Sequence, residues 1–235
     1  MKDGMRASLL DWGRIEGDLD AHGCTVVPGL LTAAQCAKLA RGYDTRVAFR
    51  SRVVMGRHGY GQGEYKYFAY PLPELVQTLR TALYPPLAAI ANRWNEALGI
   101  DSRYPATHAE YLERCHQAGQ VKPTPLLLKY ASGDYNRLHQ DLYGEHVFPL
   151  QVTVLLSEPG RDFAGGEFVL TESRPRMQSR AEVVPLALGD GVIFPVRHRP
   201  VKSARGVSRV AMRHGVSRLR SGGRQTLGII FHDAG

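Results

Sequence analysis

Three cysteines in 235 residues, Cys24, Cys36 and Cys115, form an odd set with no Cys-x-x-Cys pair. That argues against the disulfide framework of small secreted domains and against a structural zinc site built on paired thiolates. No apolar run approaches the ~20 residues that cross a bilayer as a helix. Met1 to Leu10 lacks an apolar h-region, so no signal peptide is expected, and a reducing cytoplasm is the expected compartment. Internal repeats and low-complexity tracts are missing too, which sets aside solenoids and linkers. The most pointed absence is of acid. Between Asp190 and Asp233 there is no Asp or Glu, against nine cations: Arg197, Arg199, Lys202, Arg205, Arg209, Arg213, Arg218, Arg220 and Arg224. With a net charge of +8, such a field suits a polyanionic partner rather than a membrane core.

What is present reads as helices first and strands second. Hydrophobic residues make up 43% of the chain, ordinary for a globular protein long enough to bury one sizeable core, so residues 1–235 are expected to form a single domain. Trp12, Ile15 and Leu19 recur at helical spacing up to His22-Gly23, and Thr25-Val-Val is strand-like. Thr32 with Gln35 makes a capping box before Cys36, Leu39, Ala40 and Tyr43. Leu75, Val76, Leu79 and Leu83 predict a helix ended by Pro85-Pro86; Leu87, Ile90, Ala91, Trp94 and Leu98 predict another, stopped at Gly99. From Leu126 onward, short apolar runs alternate with turn signals at Gly133, Pro159-Gly160, Gly165-Gly166, Gly189-Asp190 and Gly222-Gly223, the pattern of an antiparallel sandwich or barrel.

The chemistry concentrates in His139-Gln140-Asp141, followed by His214 and, ten residues later, Arg224. Two imidazoles and one carboxylate are the donor set that holds non-heme Fe(II) on one face while leaving other positions open. Alternate residues of a strand share a face, so His139 and Asp141 reach one ion if Leu138 to Leu142 is extended. His198 is a second candidate for the distal imidazole. No Gly-x-Arg hairpin follows it, whereas a turn at Gly222-Gly223 would carry Arg224 beside His214, so His214 is the better fit and His198 reads as an exposed loop histidine. His22, His58, His108, His116, His146 and His232 read as surface, turn or core histidines. A guanidinium fork with the Thr226 hydroxyl two residues on suits the far carboxylate of a dicarboxylate such as 2-oxoglutarate.

These motifs resemble the 2-oxoglutarate and Fe(II)-dependent dioxygenases. Gly23 to Cys36 resembles their entry strand and first helix, Leu128 to Tyr135 the strand leading to the His-x-Asp, and Gly165-Gly-Glu-Phe168 and Gly189-Asp-Gly-Val-Ile-Phe194 their middle strands. More narrowly, Asp141 to Leu150, Arg174 to Arg180 and His214 to Arg220 are similar to a bacterial oxygenase family predicted to act on methylated nucleobases. The resemblance implies a mainly β (α+β) fold, with a double-stranded β-helix, jelly-roll or cupin-like core over 126–235 and a helical support and substrate-lid region over 1–125. It also implies Fe(II) on His139, Asp141 and His214, with 2-oxoglutarate and O2 as cosubstrates, Arg224 and Thr226 holding 2-oxoglutarate, and oxidative demethylation of a nucleobase in DNA or RNA repair. Tyr130 and Tyr135 stand close enough in sequence to contact 2-oxoglutarate or to be core tyrosines.

Nucleic acid is the expected partner, single-stranded or with an extruded base. Arg46 to Lys66 offers Arg50, Arg52 and Arg57 for phosphates and Tyr60 and Tyr65 for stacking, loosened by Gly56, Gly59, Gly61 and Gly63. Alternatives are the same chemistry on a protein side chain or small molecule, and a β-helix protein that binds metal or ligand without turnover.

Overall fold

The computed structural model describes residues 10–45, 48–174, 176–203 and 206–235. Arg205, counted above among the cations, and Arg46, the first residue of the second basic stretch, lie outside them. Two sheets face each other, with a helical layer against the outer face of the larger one.

Helix α1 (Trp12–His22) starts where the Asp11 side chain accepts from the Arg14 amide and ends at Gly23, whose φ of 80° suits a left-handed C-cap. Strand β1 (Thr25–Val27) follows, then α2 (Ala33–Gly42) behind the Thr32/Gln35 capping box. Helix α4 (His108–Gln117) has a second capping box, Thr107 with Glu110. That helix was not anticipated, although its Thr-x-x-Glu signature is in the sequence.

Helix α3 runs unbroken from Glu74 to Ala97 through Pro85 and Pro86, correcting the two shorter helices expected there. Proline removes the amides that would bond one turn back, at a cost of about 3 kcal/mol in a helix interior. One apolar face runs through both halves, however: Val76, Leu79, Leu83, Leu87, Ile90 and Trp94 all enter the main core. At roughly 1.5–3 kcal/mol for each large apolar side chain buried, the half beyond the prolines more than offsets the lost bonds.

The segment between the first helices and α3 is also more regular than expected. Strands β2 (Phe49–Val54), β3 (Gly61–Gln62) and β4 (Glu64–Phe68) surround a single 3-10 turn at Met55–His58. The remaining strands are β5 (Leu126–Ala131), β6 (Tyr135–His139), β7 (Leu150–Leu155), β8 (Phe163–Gly165), β9 (Phe168–Ser173), β10 (Arg180–Val184), β11 (Gly191–Pro195), β12 (His198–Ser203), β13 (Gly206–Val216) and β14 (Leu219–Ile229). The larger sheet runs β1-β11-β7-β14-β5-β4-β2, with β8 on β14; the smaller runs β10-β9-β13-β6-β3, with β12 on β13. The double-stranded β-helix is therefore completed by strands from the first half of the chain, which is not a helical support alone.

Period two along β7 and β14 sorts the side chains. Val152, Val154, Leu227 and Ile229 meet the helices in the main core, while Gln151, Thr153, Arg224 and Thr226 look into the space between the sheets. Gly222-Gly223 is not the β13–β14 turn, which falls at residues 217–218, but lies within β14. Gly222 has φ 78°, and a Cβ there would collide with the Asp162 carbonyl oxygen. It marks the place where β14 leaves β8, paired at Gly222, for β5, paired from Gly223.

Candidate metal centre

His214 on β13 is the direct antiparallel partner of His139, the last residue of β6. Their ring centroids are 4.2 Å apart. The expected extension through Leu142 stops at His139, so Asp141 comes from the segment just beyond the strand. That segment is held from three sides. Tyr143 Oη donates to Asp141 Oδ1 at 2.7 Å, Gln151 Nε2 donates to Asp141 Oδ2 at 3.0 Å, and Gln140 Nε2 donates to the Met212 carbonyl at 2.8 Å. One ligand atom from each of His139, Asp141 and His214 lies within 4.8 Å of the others.

The donor atoms suit a cation. His139 Nε2 stands 3.5 Å from Asp141 Oδ1, and His214 Nε2 3.3 Å from Asp141 Oδ2. Metal bonds of roughly 2.1 Å at right angles would bring neighbouring ligands to about 3.0 Å, so small side-chain adjustments suffice. His139 Nδ1 lies 2.7 Å from the Arg137 carbonyl, which can only accept, so Nδ1 carries a proton and Nε2 is the nitrogen turned inward towards Asp141 and His214. Burial, then the neighbouring His139, hold His214 below its ordinary pKa and keep it neutral. For His139 burial pulls the same way, but the Asp141 carboxylate overrides it and raises the pKa. Burial would also raise Asp141; the two imidazoles instead hold it well below the usual carboxylate range. A deprotonated carboxylate between two imidazoles is a ready set of three donors.

The triad opens into a cavity of about 390 Å³ that also receives Tyr130, Arg224 and Thr226. Arg224 is 2% exposed, and its Nε and Nη1 have no hydrogen-bond partner. Its guanidinium carbon sits 5.8 Å from the centroid of the Tyr130 ring and 5.9 Å from that of Phe163. Burial lowers its pKa to about 10, still high enough to keep it charged at neutral pH. A buried, charged, underbonded guanidinium in such a cavity has free donors that a carboxylate could satisfy.

The residues expected to meet a substrate divide. Tyr60, half exposed, and Tyr65 line the cavity with Tyr67 and Tyr143. Arg50, Arg52 and Arg57 do not line it. Arg50 Nε donates to the Pro123 carbonyl at 2.7 Å and its guanidinium lies over the Tyr67 ring; Arg52 pairs with Glu64; Arg57 is exposed on the 3-10 turn. Tyr135 lies outside the cavity lining, so of the two candidate tyrosines only Tyr130 faces it. His198 is not the exposed loop residue expected: it begins β12, half-buried, and is not part of the His139, Asp141, His214 group.

Gln151 and Tyr143, which grip Asp141, were not anticipated. Gln151 has a usable signal in retrospect, as a polar residue alternating with Thr153 in the otherwise apolar run of β7. Tyr143 has none beyond its place two residues after Asp141.

Comparison with known proteins agrees with this architecture. A family model described as an oxygenase catalysing oxidative methylation of damaged DNA matches residues 63–234. Two uncharacterized proteins of Mycobacterium tuberculosis, from strains CDC 1551 / Oshkosh and H37Rv, are 50% identical over 167 residues, covering 71% of this chain and 72% of theirs. Among solved structures, an oxidoreductase of the 2OG-Fe(II) oxygenase family from Burkholderia pseudomallei superposes with a TM-score of 0.54 at 16% identity, over 96% of this chain and 93% of its own. The non-heme alpha ketoglutarate dependent epimerase SnoN of nogalamycin biosynthesis does so with a TM-score of 0.52 at 18% identity, over 92% and 80%. At these identities the two structures share the fold.

Proposed function

The chain belongs to this oxygenase family and is an oxidoreductase, and on that premise we propose that it is a dioxygenase that hydroxylates N-alkyl groups of damaged nucleobases, a demethylation of nucleic acid. Fe(II) is its metal, with 2-oxoglutarate and O2 as cosubstrates. The observation that carries this reading is the meeting, in one cavity, of the His139, Asp141 and His214 donors with the buried Arg224 guanidinium and a wall of tyrosines.

When bound, iron and 2-oxoglutarate together supply the oxidising power to insert one oxygen atom of O2 into a C–H bond, with succinate and CO2 as coproducts. The chain's own groups do the holding. His139, Asp141 and His214 retain the ion, and Tyr143 and Gln151 fix the rotamer of Asp141. Arg224, with the Thr226 hydroxyl, binds the distal carboxylate of 2-oxoglutarate; charged hydrogen bonds of this kind contribute about 1.5–3 kcal/mol each. Tyr60 and Tyr65 present ring faces to an extruded base, and the apolar lining from Leu126, Leu128 and Phe168 excludes water from the reacting bond. An N-hydroxymethyl product then loses formaldehyde and leaves the base unmethylated.

The test is release of succinate and formaldehyde from the iron-loaded protein in the presence of methylated single-stranded oligonucleotides. Stoichiometric formaldehyde, absent with the unmethylated strands, is the expected result. Turnover of 2-oxoglutarate that no methylated strand stimulates would transfer the same chemistry to a protein side chain or a small molecule.

A further inference from the structure

A second cavity, of about 410 Å³, lies on the other side of the segment that carries Asp141. Leu138, Gln140, Asp141 and Tyr143 line the first cavity, while Leu142, Gly144 and Glu145 line the second, so one stretch of backbone is the wall between them. Asp141 and Leu142 are consecutive, which sets the two spaces only about 4 Å apart along the chain. Gln140 ties the wall down, since its amide donates to the Met212 carbonyl and, at 3.3 Å, to that of Arg197.

Two chemistries meet in this second space. Leu98, Ile100, Leu142 and Val147 form an aliphatic surface that is only partly covered, Leu142 being 41% exposed. Opposite in character, Arg197 and Arg209 are exposed guanidiniums with no carboxylate partner among the described residues. His198 shares the lining with both, and burial and then these two cations hold it below its ordinary pKa. Glu145 is the only carboxylate of the lining, leaving the cavity net positive.

We propose that this cavity is a subsite for the nucleotide that neighbours the target in the same strand, its phosphate on Arg197 and Arg209 and its base or sugar on the aliphatic surface. The proposal rests on the nucleobase reading above and deepens it: the strand would straddle the wall at residues 138–145, with the target on the metal side. A phosphate beside a flat apolar group matches both halves of the lining, and guanidiniums are the usual phosphate contacts of nucleic-acid sites.

The experiment is fluorescence anisotropy with an unmodified, labelled single-stranded trinucleotide and the holoenzyme held anaerobic with Fe(II) and 2-oxoglutarate. The Arg197→Gln/Arg209→Gln double variant should bind at least tenfold more weakly, and its log–log salt slope should fall in magnitude by about 0.7, the value for one single-strand phosphate contact. Leu142→Asp, which sets a carboxylate on the apolar wall, should also weaken binding tenfold. Arg213→Gln/Arg220→Gln removes two exposed cations of the same acid-free third outside this cavity and should change affinity less than twofold. Equal binding by wild type and the Arg197/Arg209 variant overturns the subsite, as does an equal loss in the Arg213/Arg220 variant, which would mean a diffuse field. Capture of an acidic peptide in place of the trinucleotide overturns it as well. Turnover of methylated strands with no dependence on Arg197 and Arg209 removes the subsite alone. Arginine-dependent trinucleotide binding without turnover of any methylated strand supports the subsite and removes the demethylation reading.

Discussion

His139 and His214 are opposite residues of one antiparallel ladder, and the distance between their imidazoles is therefore a matter of strand register. A slip of one residue between β6 and β13 would send the two rings to opposite faces of the sheet. The partners of β13 fix that register from both sides, since His214 also pairs with Leu170 of β9. Replacing His139, Asp141 or His214 by Ala should abolish the visible charge-transfer band of the Fe(II)–2-oxoglutarate chelate in anaerobic titration, and His198→Ala should retain it. A band that survives in His214→Ala would show that another residue completes the donor set.

Arg224 should govern cosubstrate affinity rather than iron affinity. Arg224→Met keeps much of the side chain's length while removing its charge, so the KM for 2-oxoglutarate should rise tenfold or more, equivalent to at least about 1.4 kcal/mol. Iron binding, followed by direct metal titration, should change little. An unaltered KM would assign the distal carboxylate to a different cation.

Tyr60 and Tyr65 line the mouth of the metal cavity, whereas Arg50 and Arg52 are already engaged by Pro123 and Glu64. Tyr60→Ala or Tyr65→Ala should weaken binding of a methylated single-stranded oligonucleotide by about 1–3 kcal/mol, the worth of one stacked base. Neutralising Arg50, Arg52 and Arg57 together should cost less at the same salt. The reverse order of effects would move the strand from the tyrosine wall to the β2 side.

Pro85 is exposed in mid-helix, and Thr81, four residues before it, has a carbonyl that no proline amide can satisfy. Pro85→Ala should raise stability, by less than the full ~3 kcal/mol helix-interior cost because the unfolded chain also gains freedom. Chemical denaturation measures the difference. A destabilised variant would mean that the pyrrolidine ring makes packing contacts worth more than the restored bond.

Acid should loosen the protein at the far side of α3. Burial, followed by the nearby Arg80 cation, pushes His108 and His232 down to about 4 from an ordinary 6.5. Between those values the unfolded chain binds more protons than the folded one. The stabilising contribution is thus complete above about pH 6.5 and is lost as pH falls towards 4. For His108 alone the loss at pH 5 is on the order of 2 kcal/mol. His108→Gln, whose amide can still donate to the Phe231 carbonyl that His108 Nε2 meets at 2.9 Å, should flatten the stability profile between pH 7 and 5. Identical pH profiles in urea unfolding would place the proton uptake elsewhere.

Short-range patterns were readable because their physics is short-range. Capping boxes, the left-handed glycine after α1 and the close spacing of His139 and Asp141 depend on residues a few positions apart, although Asp141 reaches the site from beyond the end of β6 and not by the expected strand alternation. Arg224 does share a cavity with His214, but not through the expected turn, because Gly222 bends β14 instead of beginning it. Continuity of α3 through two prolines, the pairing of β2, β3 and β4 with the core sheets, and the grip of Tyr143 and Gln151 on Asp141 could be settled only by the assembled protein. Each depends on what is packed against the segment from far along the chain: the apolar layer that offsets the missing helix bonds, the neighbouring strand that takes up free amides, and the carboxylate that gives a buried amide and a phenol their partner.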